Sequence, residues 1–406
     1  MIVEIHGAGF QNKGAELMLR TVVDELARRL PACEAAIDPT YGPYRRRCGL
    51  SLRQMFPRRT HVGSRGFSRR FSVQKLVAWV SGGKTLGRVL RHRLSLYGCD
   101  SLASVQGLID IAGFAYTDDW GPGATQDFAA LTSYYKAKGR PIILLPQALG
   151  PFRREETRSA FRRVLDNATL VYARDRQSRE YALDLSPESG KLMEAPDITL
   201  FYPRVPLGPA AEQAPSYMCL VPNVRMLDQG KEIWGDKYLP YLTEIARESL
   251  RHDVPVHVVV HDASGDDLGL ARHLCAEISS PAVTLVQETD PIALKRLLAG
   301  SLLVVGSRYH SLVAAFSQGV PALALGWSHK YAMLLRDFGC ENYAIPAQAP
   351  LESVLRCVRE LADRGHNAAC REGIACRLQE MSAANQTMWD KVIAVLTEHA
   401  MAAVLP

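Results

Sequence analysis

The nine cysteines of this chain include no CxxC pair, so the usual zinc and dithiol spacings are missing. Their number is odd, which leaves at least one thiol outside any disulfide scheme, and idle thiols of a reducing compartment are the expectation. Cys370 and Cys376 stand six apart without a second pair to complete a metal site, so no metal and no cofactor are expected. Long apolar runs are absent too. A bilayer span needs roughly 18 residues, whereas the longest candidates, Leu297 to Val305 and Val320 to Trp327, are strand-sized. The opening "MIVEIHGAG" reads as a strand and a glycine loop, without the basic-then-apolar layout of a secretory leader, so a cytoplasmic location is expected.

Acidic residues vanish from one long stretch. Between Asp38 and Asp100 there is no Asp or Glu, while 14 Arg and Lys residues stand between Arg45 and Arg93 in a chain whose net charge is +6. Such a segment sits in a strongly positive field. Three readings stand open for it. One is a solvated basic loop region. The second, a peripheral contact through 45–93 with an anionic membrane at the inner face of the plasma membrane or with a lipid carrier's diphosphate, draws on the neighbouring Phe67, Phe71, Leu76, Val77, Trp79 and Val80. Nucleic acid is the third and is not expected, because the interleaved aromatics are few and no nucleic-acid motif accompanies them.

What is present is a globular composition, 47% hydrophobic and 22% charged over 406 residues, long enough for two cores. Apolar runs of four to eight residues alternate with helical periodicity, the pattern of parallel strands joined by crossover helices. Strands are expected at Ile2–Ile5, Ala35–Ile37, Leu108–Ala112, Pro141–Leu145 and Leu170–Ala173. After the proline-rich, aperiodic Phe201–Ser216, read as a linker, they resume at Tyr217–Val221, Val256–Val260, Val283–Val286, Leu302–Val305 and Ala322–Leu325. The fold class expected is therefore α/β, with two doubly wound Rossmann-like domains, residues 1–205 and 206–406, facing a cleft. A last helix, about Ile374 to Leu396, is long enough to pack back on the first domain.

Candidate site residues stand where strands end. In "LLVVGSRYHS" an apolar run gives way to Ser307, Arg308 and His310 at the start of a helix, a junction that favours anions in doubly wound sheets. Arg308 offers a planar fork for a carboxylate or phosphate, and His310 beside it is a candidate acid or base. Lys330, on the loop after the next strand, can add charge to the same crevice. Gln147 follows a buried strand, and either reaches the cleft or satisfies loop backbone groups. Arg174 and Asp175 end another strand and read equally as an ion pair or a ligand site, with Ser178 as a helix cap. The first loop, "HGAGFQNKGAELML", lets the backbone approach a ligand closely, but it lacks the third glycine of the dinucleotide fingerprint.

In order along the chain, Asn12-x-Gly14-Ala15-Glu16, "PQALGP", "ARDRQS" from Ala173 to Ser178, Asp197 after a proline, and "SRYHSLVAAFSQGVPALAL" followed by Lys330 resemble the polysaccharide pyruvyl transferase family. The resemblance implies a fold similar to GT-B glycosyltransferases and transfer of the pyruvyl group of phosphoenolpyruvate onto two hydroxyls of a sugar, forming a cyclic ketal and releasing phosphate. It places the family's R-x-H pair on Arg308 and His310 and a further donor arginine on Arg174. Lys330 and Ser307 join the donor side; Asn12, Glu16, Gln147 and Asp118 are assigned to the acceptor or cleft. The sugar acceptor, lipid-linked in one version, is the expected partner. One departure is "DIAGFAYTDD", where relatives carry a run of glycines and this chain has Phe114 and Ala115 after Gly113. The same architecture also serves nucleotide-sugar glycosyltransferases, the alternative activity, and a non-catalytic binding module is the third reading.

Overall fold

The computed structural model describes residues 1–55, 96–187, 190–203, 217–262 and 266–402. Ten of the fourteen basic residues, from Arg58 to Arg93, and most of the Phe201–Ser216 linker lie outside the described residues.

Two wholly parallel sheets carry the fold. The first contains β1 (Ile2–His6), β2 (Glu34–Ile37), β3 (Arg53–Met55), β4 (Cys99–Asp100), β5 (Gly107–Asp110), β6 (Ile142–Gln147), β7 (Leu170–Ala173) and β8 (Leu192–Glu194), in the order β4-β3-β2-β1-β5-β6-β7-β8. The second contains β9 (Met218–Val221), β10 (Val256–Val259), β11 (Val283–Val286), β12 (Leu303–Gly306), β13 (Ala322–Leu325) and β14 (Ala344–Ile345), in the order β11-β10-β9-β12-β13-β14. Strands β6, β9, β12 and β13 are buried along their whole length. That is why they read as continuous apolar runs instead of alternating ones: helices cover both faces of a parallel sheet. The ten expected strands all form, with ends shifted by at most two residues. Strands β3, β4, β8 and β14 were not expected, because two or three residues at a sheet edge carry no period.

Strand order reverses at β1/β5 in the first sheet and at β9/β12 in the second, and ligands of open α/β sheets bind outside the carboxyl ends at such points. The two reversal points are brought together by polar contacts across the seam. Asn12 and Asp262 form an isolated antiparallel bridge, and Lys13 Nζ donates to the Thr289 carbonyl at 2.8 Å. Arg20 pairs with Asp290 at 3.0 Å. Lys295, fully buried, donates to the carbonyls of Thr199 at 2.8 Å and Tyr202 at 2.6 Å; burial lowers its amine to about 7, with Asp197 pulling the other way.

The helix Arg364–Ala402 joins both cores. Near its start Ile374 is buried in the second domain's cluster; farther on Met388, Trp389, Val392 and Leu396 are buried in the first, against residues such as Val3, Ile5 and Met18. Arg29 fixes the crossing with a 2.6 Å bond to Asp390 and a 2.7 Å bond to Gln386. Replacing Trp389 by alanine removes a fully buried indole and is expected to cost about 3–5 kcal/mol. Urea denaturation should show this as a lower midpoint; an unchanged midpoint would mean that the helix does not clasp the first domain.

Candidate active site

A cavity of about 550 Å³ lies between the carboxyl ends of the two sheets. Asn12, Phe114 and Arg174 line it from the first domain; Asn223, His261, Asp262, Arg308, His310 and Lys330 line it from the second. The sequence produces this by one device used repeatedly: an apolar strand stops, and the residues after it turn polar where the strand would leave the core.

Arg308 precedes the helix Tyr309–Phe316 in an extended conformation, which directs His310 into the first turn. Its fork is already engaged. Nε meets Asp267 Oδ2 at 2.9 Å and Nη2 meets Asp267 Oδ1 at 2.6 Å, while Nη1 lies 3.3 Å from Asp262 Oδ2. A buried guanidinium needs a counter-charge, so the fork expected to await an anion is held rigid by the protein's own carboxylate, and its remaining edge faces the cavity.

Arg174 is buried, 3.8 Å from the centroid of the Tyr309 ring, and pairs with Asp197 at 3.1 Å rather than with its neighbour Asp175. Asp175 instead caps the helix Arg176–Leu183, accepting from Ser178 N at 2.8 Å and Ser178 Oγ at 2.9 Å. The cap is therefore the aspartate, and Ser178 is its donor. Arg174 Nε is sealed from solvent without a partner among the described residues.

His310 Nε2 stands 3.5 Å from the same Asp197 Oδ2. Its ring lies directly against the backbone at Gly14, where any side-chain carbon would overlap the imidazole. The Gly14 of the first loop is thus explained by the close approach of a second-domain histidine. Asp197 is buried. Burial raises its carboxyl, but His310, Arg174 and Thr199 outweigh that and hold it well below the usual carboxylate range.

Lys330 is caged by aromatic rings, its Nζ 3.7 Å from the centroid of Phe114, 5.3 Å from Trp327 and 5.5 Å from Tyr331. Burial, and then Arg174, press its amine well below the ordinary lysine range. A bound anion would pull the amine back up.

Residues 12–329 match the family described as polysaccharide pyruvyl transferase. The chain belongs to that family. Among curated proteins it is similar to the amylovoran biosynthesis protein AmsJ of Erwinia amylovora, 21% identical over 389 residues that cover 89% of this chain and 92% of that one. Solved structures confirm the architecture. The UDP-GlcNAc 2-epimerase of Neisseria meningitidis bound to UDP-GlcNAc aligns over 97% of this chain and 99% of its own, with a TM-score of 0.56 at 11% identity. A putative UDP-N-acetylglucosamine 2-epimerase of Listeria monocytogenes gives 0.57 at 12% identity, over 98% of this chain and 96% of that one. At such identities the likeness shows the fold alone, which is GT-B. This pyruvyl transferase family member is accordingly a GT-B transferase of polysaccharide biosynthesis.

Of the expected site residues, the structure brings Asn12, Arg174, Arg308, His310 and Lys330 to one cavity. It keeps four away from the wall. Glu16 is buried between Arg20 at 2.8 Å and Arg46 at 2.9 Å; burial raises its carboxyl and the arginines oppose that. Gln147 is buried under β5, donating to Asp110 Oδ2 at 2.8 Å. Asp118 accepts from the backbone of Arg153 and Arg154. Ser307 is buried, its carbonyl accepting from Asn223 Nδ2 and the Tyr331 hydroxyl, each at 2.8 Å. Sequence reasoning missed His261, Asp262 and Asn223. The first two were readable, since "VPVHVVVHD" ends an apolar strand on a histidine and an aspartate just as "LLVVGSRYH" does.

Asp197 supplies a test through pH. A carboxyl lowered in the folded state stabilises above its unfolded pKa of about 3.9 and loses that contribution as pH falls toward the folded value. Asp197→Asn is expected to cost about 3 kcal/mol at pH 7, because it strands Arg174, and to make stability fall less steeply between pH 5 and pH 3. Parallel acid limbs for the two proteins would show that Asp197 does not carry the linkage.

Proposed function

We propose that this transferase moves the pyruvyl group of phosphoenolpyruvate onto two hydroxyls of a sugar in a cell-surface polysaccharide or its precursor, forming a cyclic ketal and releasing phosphate. The observation that carries the reading is the grouping of Arg174, Arg308 and Lys330 around one cavity with His310 held beside the Asp197 carboxylate. The donor has a carboxylate and a phosphate, which suits cationic groups fixed in advance. His310 delivers a proton to the methylene carbon, C2 becomes electrophilic, a sugar hydroxyl attacks, phosphate departs and the second hydroxyl closes the ring.

Lys330 is the group to remove in a binding test, since Arg308→Ala would strand Asp267 and Asp262. Phosphoenolpyruvate at 100 times its Kd should stabilise the wild type by about 2.7 kcal/mol, read as a rise in Tm. Lys330→Gln should lower the affinity at least tenfold. A rise with nucleotide sugars alone would make the protein a glycosyltransferase, which the UDP-sugar epimerases of the same fold keep in view.

The acid-free segment 39–99 supports a lipid-linked acceptor met at an anionic membrane surface. Tyr44, Leu96 and Tyr97 within it are exposed, 68%, 72% and 84% respectively, and apolar residues near basic ones suit a headgroup layer. Arg46 and Arg47 are spent within the fold, on Glu16 and on Gln54 with the Pro39 carbonyl. Reversal of Arg58, Arg59, Arg69 and Arg70 to glutamate is therefore the informative change. Binding to phosphatidylserine-containing vesicles at low salt should weaken roughly tenfold or more and fade in the wild type at high salt. Equal binding by both proteins would remove the membrane contact.

A further inference from the structure

We propose that His261 is the base that takes the proton of the attacking acceptor hydroxyl, so that acid and base duties in the cavity are divided between His310 and His261. The inference rests on the pyruvyl-transfer reading and deepens it.

His261 follows β10 just as His310 follows β12, so two strands of one sheet lead to an imidazole at the same cavity. Strand β9 lies between them and its end supplies Asn223 to the same wall. The His261 carbonyl accepts from Lys13 N at 3.4 Å, which sets the residue on the domain seam, where donor and acceptor have to meet. Its side chain is almost wholly buried, 2% exposed, yet Nδ1 has no hydrogen-bond partner among the described residues. Buried polar atoms in native proteins are normally satisfied, and a molecule in the cavity that His261 lines is positioned to satisfy this one.

The two imidazoles have opposite surroundings. Asp197 stands 3.5 Å from His310 and offers the counter-charge that a proton donor needs. Burial, Arg308, His310 and Lys13 all oppose a charge on the His261 ring and hold it to about 3, with Asp262 alone pulling the other way. Asp262 is itself engaged by Arg308 and by Asn12 Nδ2 at 3.4 Å. Unlike charged neighbours suit two imidazoles to different proton duties.

A neutral imidazole so disfavoured is a feeble base in the empty site. The donor changes this, because its phosphate and carboxylate bring negative charge beside Arg308 and His310 and raise the proton affinity of their neighbour. The acceptor is thereby activated only when the donor is in place.

The protons balance over the cycle. His310 gives its proton to the methylene carbon as the first sugar oxygen bonds to C2, and the hydroxyl proton passes to His261. The C2–O bond to phosphate then breaks with its electron pair, and the phosphate takes the proton from His261. The second hydroxyl bonds to C2 and returns a proton to His310.

The first test needs no acceptor. The His261 imidazole is followed by NMR through a pH titration with and without phosphoenolpyruvate, and is assigned by its loss in His261→Gln. Its midpoint should rise by at least one unit when the donor binds. A midpoint that stays put while phosphoenolpyruvate raises Tm overturns the inference and leaves the functional reading standing. The second test reads phosphate released from phosphoenolpyruvate with p-nitrophenyl hexosides as acceptors. His261→Gln should lower kcat about 100-fold or more, with KM for phosphoenolpyruvate and the donor-induced rise in Tm within threefold and a few degrees of the wild type. His261→Ala should regain turnover with added imidazole, saturably. A kcat for His261→Gln near that of the wild type, or a loss matched by lost donor binding and not rescued by imidazole, also overturns it. A wild type that neither responds to phosphoenolpyruvate nor releases phosphate from it sinks the functional reading, and this inference with it.

Discussion

The buried carboxylate of Asp197 joins Arg174, at the end of β7, to His310, in the first turn of the helix after β12. One of these partners comes from each sheet, so a single anion ties the two halves of the cavity together. Taken alone, any of the three groups would be expensive to bury. Together they fix each other's position, and the Thr199 amide and hydroxyl hold the other carboxylate oxygen at 2.9 and 2.6 Å. The glycine at position 14 completes the arrangement by letting the imidazole lie against the first-domain backbone. The setting of His310 thus depends on the relative placement of the domains, and the Arg364–Ala402 helix, rooted in both cores, maintains that placement.

The same logic governs the other cations. Arg308 is clamped by Asp267 and Asp262, and Arg225 pairs with Asp228 at 2.6 Å. Lys330 is held among aromatic rings. A guanidinium locked by an internal carboxylate attracts an incoming anion less than a bare one, but it spends no reorganisation when charge develops. Lys330, by contrast, has no carboxylate clamping it among the described residues. Phe114, the residue that departs from the glycine run of relatives, supplies the closest face of the lysine's cage. Phe114 therefore bears on how Lys330 is held.

Most of the fold was legible because parallel strands covered on both faces must be apolar throughout, and the helices between them must keep one apolar stripe. The short edge strands were not, since β4 and β14 have two residues each and are defined by the neighbours they pair with. In the site, Arg308 and His310 were legible from position: polar residues directly after an apolar run have nowhere to go but the crevice. His261 obeys the same rule. What no local pattern could show is pairing. Asp267 is 41 residues from Arg308 and Asp197 is 113 from His310, and only the fold brings them together. Glu16 and Gln147 failed for the complementary reason, because a polar residue near a strand or helix end can turn inward to satisfy a buried partner as readily as outward to a ligand.

Domain architecture alone could not have settled what the cavity does, because the GT-B fold also carries enzymes of UDP-sugars. The distinguishing physics lies in how the crevice spends its polar groups. Its charged residues are arranged as close pairs and a cage around one small volume, and two imidazoles with unlike neighbours open onto it. The proposed reaction, which protonates a carbon and deprotonates an oxygen in one site, draws on that asymmetry. The asymmetry comes from a small topological fact: β10 and β12 flank β9, so the two histidines that follow them reach the same cavity while only one of them meets the carboxylate delivered by the other domain.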